Sequence, residues 1–135
     1  MKKLFTLKSL KSKSLNGIIY VPSDKSISIR ALIISSICLG NSKIFNLLES
    51  EDVKHTMKSL EDLGIKILKK KKFYEVYGNG GYFEKPSNNL YLGNSGTGIR
   101  LLTGLLASRG IEITLTGDES LSSRPMNRII EPLEL

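Results

Sequence analysis

Two segments of the chain combine basic and hydroxyl side chains with a predicted helix start. Residues 23–30 read SDKSISIR and residues 93–100 read GNSGTGIR. The first turn of a helix attracts anions, because its N–H groups are unpaired and its dipole is positive there. Lys25 adds a point charge and Arg30 a planar fork of donors, whereas glycines in the second segment let the backbone approach a ligand before Arg100. The two segments therefore predict two anion-binding sites.

The distribution of arginine supports this interpretation. The chain carries 20 basic against 13 acidic residues, a net charge of +7, and most of the basic residues are lysine. Four of the five arginines lie in or near the candidate motifs: Arg30, Arg100, Arg124 and Arg128. A guanidinium binds a carboxylate or phosphate through two parallel hydrogen bonds, which lysine cannot do. The lysine run at residues 69–72 separates two strand-like runs and is interpreted as a solvated hairpin turn.

Composition limits the classes of protein that this chain can form. Its 135 residues are enough for one domain. No apolar stretch approaches the roughly 20 residues that cross a bilayer, so we expect no membrane partner. The single Cys38 excludes a disulfide framework and is expected to be a buried, inert thiol, which fits a cytoplasmic protein. Residues 131–135 interrupt an amphipathic pattern, so we expect the sequence to belong to a longer protein.

The hydrophobic pattern predicts an α/β chain. Predicted strands cover residues 17–21, 43–47, 65–68, 73–77, 90–92 and 112–115. Predicted helices cover residues 26–39, 51–63 and 96–108, and a last helix has Pro125 as its first residue. Two of these helices, 26–39 and 96–108, are apolar nearly all round, which predicts that they are buried. The spacing of about 70 residues between the two arginine-bearing helix starts indicates two copies of a larger α/β unit.

Four motifs together resemble the 5-enolpyruvylshikimate-3-phosphate (EPSP) synthases. They are VPSDKSISIRA at residues 21–31, LESEDV at 48–53, LGNSGTGIRL at 92–101 and GDESLSSRPM at 117–126. One motif alone would be weak evidence, but all four occur in family order with family-like spacing. The similarity runs from about Leu4 onward and looks closest to the class II branch of the family.

This resemblance implies an activity. Members of the family transfer the enolpyruvyl group of phosphoenolpyruvate to the 5-hydroxyl of shikimate 3-phosphate and release phosphate, on the shikimate pathway to chorismate and the aromatic amino acids. The resemblance implies no metal, no organic cofactor, no nucleic-acid partner and a monomeric full-length protein. Both implied substrates carry phosphate and carboxylate groups, which agrees with two anion-binding helix starts.

The resemblance also implies roles for individual residues. Shikimate 3-phosphate would be bound by Lys25, Ser26 and Arg30. Phosphoenolpyruvate would be bound by Lys25, Asn94, Gly96, Thr97, Arg100 and Arg124. The implied catalytic residues are Lys25 and Asp52, although Asp52 is equally well explained as a first-turn helix acid. His55 has no partner pattern and is interpreted as structural or exposed, not as a catalytic base.

The implied fold is an inside-out α/β barrel of two domains, each built from three βαβαββ units. By resemblance, residues 1–19 form a first strand region that crosses to the other domain. Residues 20–135 would then form about two units of an incomplete N-terminal domain, and the C-terminal domain would be absent. With half of the interdomain cleft missing, this chain alone is expected to be inactive.

Two other functions are compatible with parts of the sequence. UDP-N-acetylglucosamine enolpyruvyl transferase shares the fold and reaction type, but it typically has Asn after the lysine and a reactive Cys before the Arg-Pro pair. Here Ser26 and Glu119 occupy those places. A non-enzymatic basic RNA-binding module would explain the net charge, but no pattern of stacking aromatic residues accompanies the basic motifs.

Overall fold

A computed structural model describes residues 6–134 of the chain. The helices are α1 (Lys25–Ile37), α2 (Glu51–Asp62), α3 (Gly96–Ala107), α4 (Glu119–Ser122) and α5 (Asn127–Leu133). The strands are β1 (Leu39–Phe45), β2 (Lys66–Lys69), β3 (Phe73–Asn79), β4 (Leu90–Tyr91) and β5 (Leu115–Thr116). The mixture of helices and strands confirms the predicted α/β class. Residues 1–5 and Leu135, which belong to the two predicted domain segments, lie outside the described residues.

Three strands form an antiparallel sheet in the order β1, β3, β2. Strands β2 and β3 are the two arms of a hairpin in which Lys69 lies opposite Tyr74. The lysines of residues 70–72 form its exposed turn, which confirms the interpretation of the basic run. On the other side of β3, Phe45 of β1 lies opposite Phe73, and their ring centroids are 5.4 Å apart.

The element order α1, β1, α2, β2, β3 matches a βαβαββ unit without its first strand. The predicted strand at residues 17–21 is wrong for the part of the chain that the structure describes, since these residues pair with no other strand there. Ile18 and Ile19 are 86% and 84% exposed. A strand needs a neighbouring backbone for its hydrogen bonds, and an apolar sequence alone does not supply one.

Helix α1 packs against α2, α3 and the three-stranded sheet. Its Ile29 and Leu32 are fully buried, whereas Ile27 and Ile34 on another face are 67% and 57% exposed. The prediction that this helix is buried all round is therefore confirmed for one face only. The largest fully buried apolar side chains of the core come from most of the elements: Ile29, Leu32, Val53, Leu60, Leu63, Ile65, Val76, Leu90, Leu92, Leu102 and Leu121.

Strands β4 and β5 run parallel and are joined by the crossover helix α3. Leu90 of β4 lies opposite Leu115, the first residue of β5. The predicted strand at residues 112–115 therefore overlaps β5 only at its last residue. The chain leaves β4 at its carboxyl end and enters α3 within a few residues. The N-terminus of α3 thus lies beside the carboxyl end of a parallel strand, a common position for binding sites in α/β folds.

Several local predictions differ from the structure. Helix α1 ends at Ile37, and Cys38 at its C-cap is exposed instead of buried, because the chain turns there from the helix into β1. Leu39, the last residue of the predicted helix 26–39, and Gly40 after it already lie in β1. The last helix begins at Asn127 with Met126 as its N-cap, so Pro125 precedes it. None of the helices among residues 6–134 is long and apolar enough to cross a membrane.

Candidate anion-binding site

Lys25 and Asp52 form an ion pair between two helix starts. Lys25 is the first residue of α1 and Asp52 the second residue of α2, and the Lys25 Nζ lies 2.7 Å from Asp52 Oδ2. The Lys25 side chain is 49% exposed and that of Asp52 is 16% exposed. Asp24 takes no part in this pair, since its Oδ1 accepts a hydrogen bond from Ile27 N–H and caps α1. The structure therefore holds the Lys25 ammonium group at the N-termini of both helices.

The start of α3 is fixed by Ser95 and by two glycines. The fully buried Ser95 Oγ accepts a hydrogen bond of 3.1 Å from Gly98 N–H and caps the helix. A Cβ added at Gly98 would lie 2.7 Å from Thr56 Oγ1 of α2, so glycine allows the two helices to meet closely. Gly93 has a φ of +55°, which favours glycine, at the turn into α3. These contacts bring the N-terminus of α3 against α2.

The short helix α4 carries Arg124 to this place. Asp118 Oδ1 accepts a hydrogen bond of 2.7 Å from Leu121 N–H and caps α4, and Asp118 N–H donates to the carbonyl of Gly93 at 2.9 Å. Arg124 follows directly after α4, where its N–H donates to the carbonyl of Leu121. Its guanidinium donates to Asn94 Oδ1 in the turn before α3. Two residues 30 positions apart in the sequence are thus in direct contact.

These elements enclose an open cleft of about 380 Å³. Seven residues line it: Lys25, Asp52, Asn94, Gly96, Thr97, Arg100 and Arg124. Within this described lining, three cationic side chains face one carboxylate. The Arg100 Nε is buried and has no hydrogen-bond partner among residues 6–134. Guanidinium groups form strong paired hydrogen bonds with carboxylates and phosphates, so the excess of cationic side chains in this lining favours an anionic ligand.

The structure brings together most of the residues that the sequence predicted. Ser26 and Arg30 are the exceptions, since neither lines the cleft. Ser26 is half-buried in the first turn of α1, and Arg30 lies on an exposed face of the same helix. An anion bound by these two residues would therefore lie next to the described cleft, beyond Lys25.

Two residues that shape the site are not among the predicted site residues. Asp118 is one of them. An aspartate just before a helix is an N-cap signal, because its carboxylate can accept a hydrogen bond from the N–H three residues later, so the sequence did carry a signal for it. His55 is the other, and it lies so close to Gly93 that a Cβ added at the glycine would be 2.4 Å from His55 Cδ2. The His55 ring also contacts Tyr91 edge-on, with centroids 5.2 Å apart. His55 thus has the structural role that the sequence indicates, but its place beside the turn into α3 is a finding of the structure.

The fold and the cleft together define an α/β unit that presents basic side chains and two helix N-termini to small anions. Residues 10–135 match the family model described as EPSP synthase (3-phosphoshikimate 1-carboxyvinyltransferase). The chain belongs to the EPSP synthase family. This membership confirms the resemblance found in the sequence, and with it the family's α/β fold.

Several proteins similar to this chain carry the name given in the description of the family model. The chain is 47% identical over 122 residues to the 3-phosphoshikimate 1-carboxyvinyltransferase of Streptococcus suis, covering 90% of this chain and 29% of that protein. It is 48% identical over 131 residues to the one of Bradyrhizobium sp., covering 96% and 29%. The solved EPSP synthase from Acinetobacter baumannii superposes with a TM-score of 0.81 at 39% identity, covering 87% and 27%. The chain therefore spans less than a third of the length of these relatives.

Proposed function

We propose that this chain forms one wall of the active site of a 3-phosphoshikimate 1-carboxyvinyltransferase. The observation that carries the proposal is the cleft in which Lys25, Arg100 and Arg124 meet at the N-termini of α1 and α3. Relatives at 47% identity carry that enzyme's name. The chain spans 29% of such a relative. We therefore assign the other substrate contacts to segments of the relatives that this chain does not cover.

Phosphoenolpyruvate is assigned to the side of the cleft formed by α3 and Arg124. Its phosphate and carboxylate need several strong donors, and two guanidinium groups supply them in fork geometry. Gly96, the first residue of α3, is buried and leaves the helix N-terminus open to the ligand. Asn94 and Thr97 add polar groups to the same wall. The presence of both Arg100 and Arg124 in the lining of one cleft supports this assignment.

Shikimate 3-phosphate is assigned to the α1 side of the cleft. Ser26 and Arg30 follow Lys25 on α1 but lie outside the cleft lining, so we assign this substrate a position that extends from Lys25 along the helix to reach them. Lys25 lies between this side and the phosphoenolpyruvate side, and we assign it contacts with both substrates. The transfer requires the reacting 5-hydroxyl to lie near the enol carbon, and two adjacent substrate positions that share Lys25 are compatible with that requirement.

The proposed reaction is an addition followed by an elimination. The 5-hydroxyl oxygen bonds to C2 of phosphoenolpyruvate while C3 gains a proton and the hydroxyl loses one, giving a tetrahedral intermediate. C3 then loses a proton as the C2–O bond to phosphate breaks, which restores the double bond and releases phosphate. Arg100, Arg124 and Lys25 hold the negative charge of the phosphate through both steps. Asp52, 2.7 Å from Lys25, holds the ammonium group in place.

The proposed domain division follows the same family. We assign residues 1–19 to a first strand region whose pairing partner belongs to the other domain, which agrees with the lack of strand pairing at residues 17–19 in the part of the chain that the structure describes. We assign residues 20–135 to about two units of the N-terminal domain. The exposure of Ile18 and Ile19 among the described residues supports this division, since such side chains are normally covered in a complete fold.

Calorimetric titration of the chain with phosphoenolpyruvate tests the proposed site. We expect the double variant Arg100→Gln/Arg124→Gln to bind at least about tenfold more weakly than the wild type, a loss of about 1.4 kcal/mol. The matched control is Lys70→Gln/Lys71→Gln, which removes the same charge from the exposed hairpin turn. Its affinity should stay within about twofold of the wild type.

The same variants distinguish the proposal from the RNA-binding alternative. Equal losses of phosphoenolpyruvate affinity in both double variants would show that net charge, and not the cleft, holds the ligand. Tight, strongly salt-dependent binding of single-stranded RNA that is lost in the turn variant would favour a basic nucleic-acid module. If the proposal is correct, RNA binding is weak and is nearly the same for the wild type and for Arg100→Gln/Arg124→Gln.

A further inference from the structure

Ser28 connects α1, which carries Lys25, to the loop that leads into α2, which carries Asp52. It lies one turn into α1 and is 4% exposed. Its Oγ donates a hydrogen bond of 2.8 Å to the carbonyl of Asp24, at the start of the same helix. The same Oγ accepts a hydrogen bond of 3.1 Å from Leu48 N–H, in the loop between β1 and α2. One buried hydroxyl therefore ties the start of α1 to the segment that leads into α2.

The loop before α2 is held by contacts with other elements: Glu49 accepts hydrogen bonds from Lys69 and Tyr74, and Leu47 is buried in the core. Ser50 is the N-cap residue of α2 but makes no side-chain cap hydrogen bond, and its buried Oγ has no partner within the described part of the chain. Asn46 adopts a positive φ of 54°, an uncommon conformation for a residue other than glycine. The direction in which α2 begins thus depends on contacts with other elements, and the Leu48 hydrogen bond to Ser28 is one of them.

We propose that Ser28 is a positioning residue that sets Asp52 of α2 against Lys25 of α1. Ser28 is buried, and its hydrogen bond to Leu48 links α1, which carries Lys25, to the loop that leads into α2, which carries Asp52. Without the hydroxyl, the Leu48 N–H loses its acceptor, and the loop keeps the packing of Leu47 and the Glu49 hydrogen bonds, which join it to β2 and β3 and not to α1. A shift of the α2 start moves the Asp52 carboxylate away from the Lys25 ammonium. The importance of this geometry for catalysis rests on the proposed function, but the geometry itself does not.

The chain offers a matched control on the same helix. Ser36 is fully buried, and its Oγ donates a hydrogen bond of 2.7 Å to the carbonyl of Ile33, within α1. Ser36→Ala therefore removes a buried hydroxyl from α1 without removing a hydrogen bond to the loop before α2. Ser28→Thr keeps the hydroxyl and serves as the conservative rescue of Ser28→Ala.

Zero-length carbodiimide cross-linking of the chain, read by mass spectrometry, tests the proposal without any ligand. The reagent joins an amine to a carboxylate that it already contacts, so it reports the Lys25–Asp52 pair. The Lys58–Asp62 pair, also at 2.7 Å but within α2, is an internal reference. We expect Ser28→Ala to lower the ratio of the first cross-link to the second about fivefold, the factor that loss of one hydrogen bond gives.

The controls make the outcome decisive. Ser36→Ala and Ser28→Thr should both keep the wild-type ratio, and thermal unfolding checks that every variant is folded. An unchanged ratio in folded Ser28→Ala, or an equal fall in Ser36→Ala, would overturn the positioning role. If Ser28→Ala does not fold, loss of the Lys25–Asp52 cross-link in Ser28→Thr would overturn it, and retention would support it. Failure of the wild type to bind phosphoenolpyruvate would instead count against the proposed function, since the cross-link is measured without ligand.

Discussion

Gly96 and Arg124 approach each other so closely that a side chain at position 96 would displace the guanidinium. A Cβ built on Gly96 would lie 2.8 Å from Arg124 Nη1, and the next atom it would meet, Arg100 Nη1, is 3.9 Å away. Real Cβ atoms are essentially never found closer than 3.0 Å to another heavy atom. The absence of a side chain at position 96 therefore leaves room for an arginine of the cleft.

We expect Gly96→Ala to weaken phosphoenolpyruvate binding to the chain by about tenfold, because the Arg124 guanidinium must shift and the added Cβ occupies space at the helix N-terminus. The control is Gly104→Ala in the same helix, where an added Cβ meets nothing within 4 Å. That change should leave binding unaltered and stabilise the chain by about 0.5–1 kcal/mol, since alanine favours helix. Titration calorimetry and thermal unfolding measure the two effects. Equal binding by both variants would show that Arg124 adjusts without cost.

Arg124→Lys should weaken phosphoenolpyruvate binding although it keeps the charge. A lysine cannot hold Asn94 Oδ1 and a ligand oxygen with one planar group, so we expect a loss of about 2 kcal/mol. Arg109→Lys is the control, because Arg109 lies against Gly81 and outside the cleft lining. Affinities measured at one fixed salt concentration decide the matter. If the two lysine variants bind alike, charge alone and not the fork is what the site uses.

Asp52→Asn should strengthen binding of inorganic phosphate to the chain by about twofold to fivefold. The change removes the carboxylate that opposes an anion in the cleft and frees the partly exposed Lys25 ammonium. Asp62→Asn is the control on the same helix, since it breaks the 2.7 Å pair with Lys58 away from the cleft. Phosphate titrations should show no gain for that variant. Weaker phosphate binding by Asp52→Asn would show that the ion pair must stay intact to hold an anion.

The chain by itself should not catalyse enolpyruvyl transfer. It spans 27% of the solved Acinetobacter baumannii EPSP synthase, and its cleft is open on one side. A phosphate-release assay with phosphoenolpyruvate and shikimate 3-phosphate should give only the background rate. The Acinetobacter baumannii enzyme in the same assay is the positive control. Turnover by the pure chain, sensitive to Arg100→Gln, would contradict this prediction.

Glu49 should titrate at a lower pH in the chain than an ordinary glutamate. Hydrogen bonds from Lys69, and secondarily from Tyr74, hold the pKa of Glu49 below its usual value. A carboxyl with a lowered pKa in the folded state favours folding above its unfolded pKa, and this contribution is lost as the pH falls through the lowered value. Carbon-detected NMR titration should show the Glu49 pKa rising in Lys69→Met. In the control Lys71→Met it should not move.

The local chemistry of the site could be predicted from the sequence. The helix starts at Lys25 and Gly96 follow from rules that act over a few residues, since the caps Asp24 and Ser95 accept from N–H groups three positions on. The β2–β3 hairpin follows from two apolar runs around a lysine turn in the same way. The family resemblance also lies in the sequence itself, because the four motifs consist of residue types in a fixed order and spacing.

Only the tertiary structure decided which of these groups meet. The Lys25–Asp52 pair and the Arg124–Asn94 contact join residues 27 and 30 positions apart, and they depend on how α1, α2, α3 and α4 pack. Packing also decided that Cys38 is exposed. Propensity and periodicity describe one segment at a time, whereas burial and long-range hydrogen bonds depend on neighbours that the segment's own sequence does not specify.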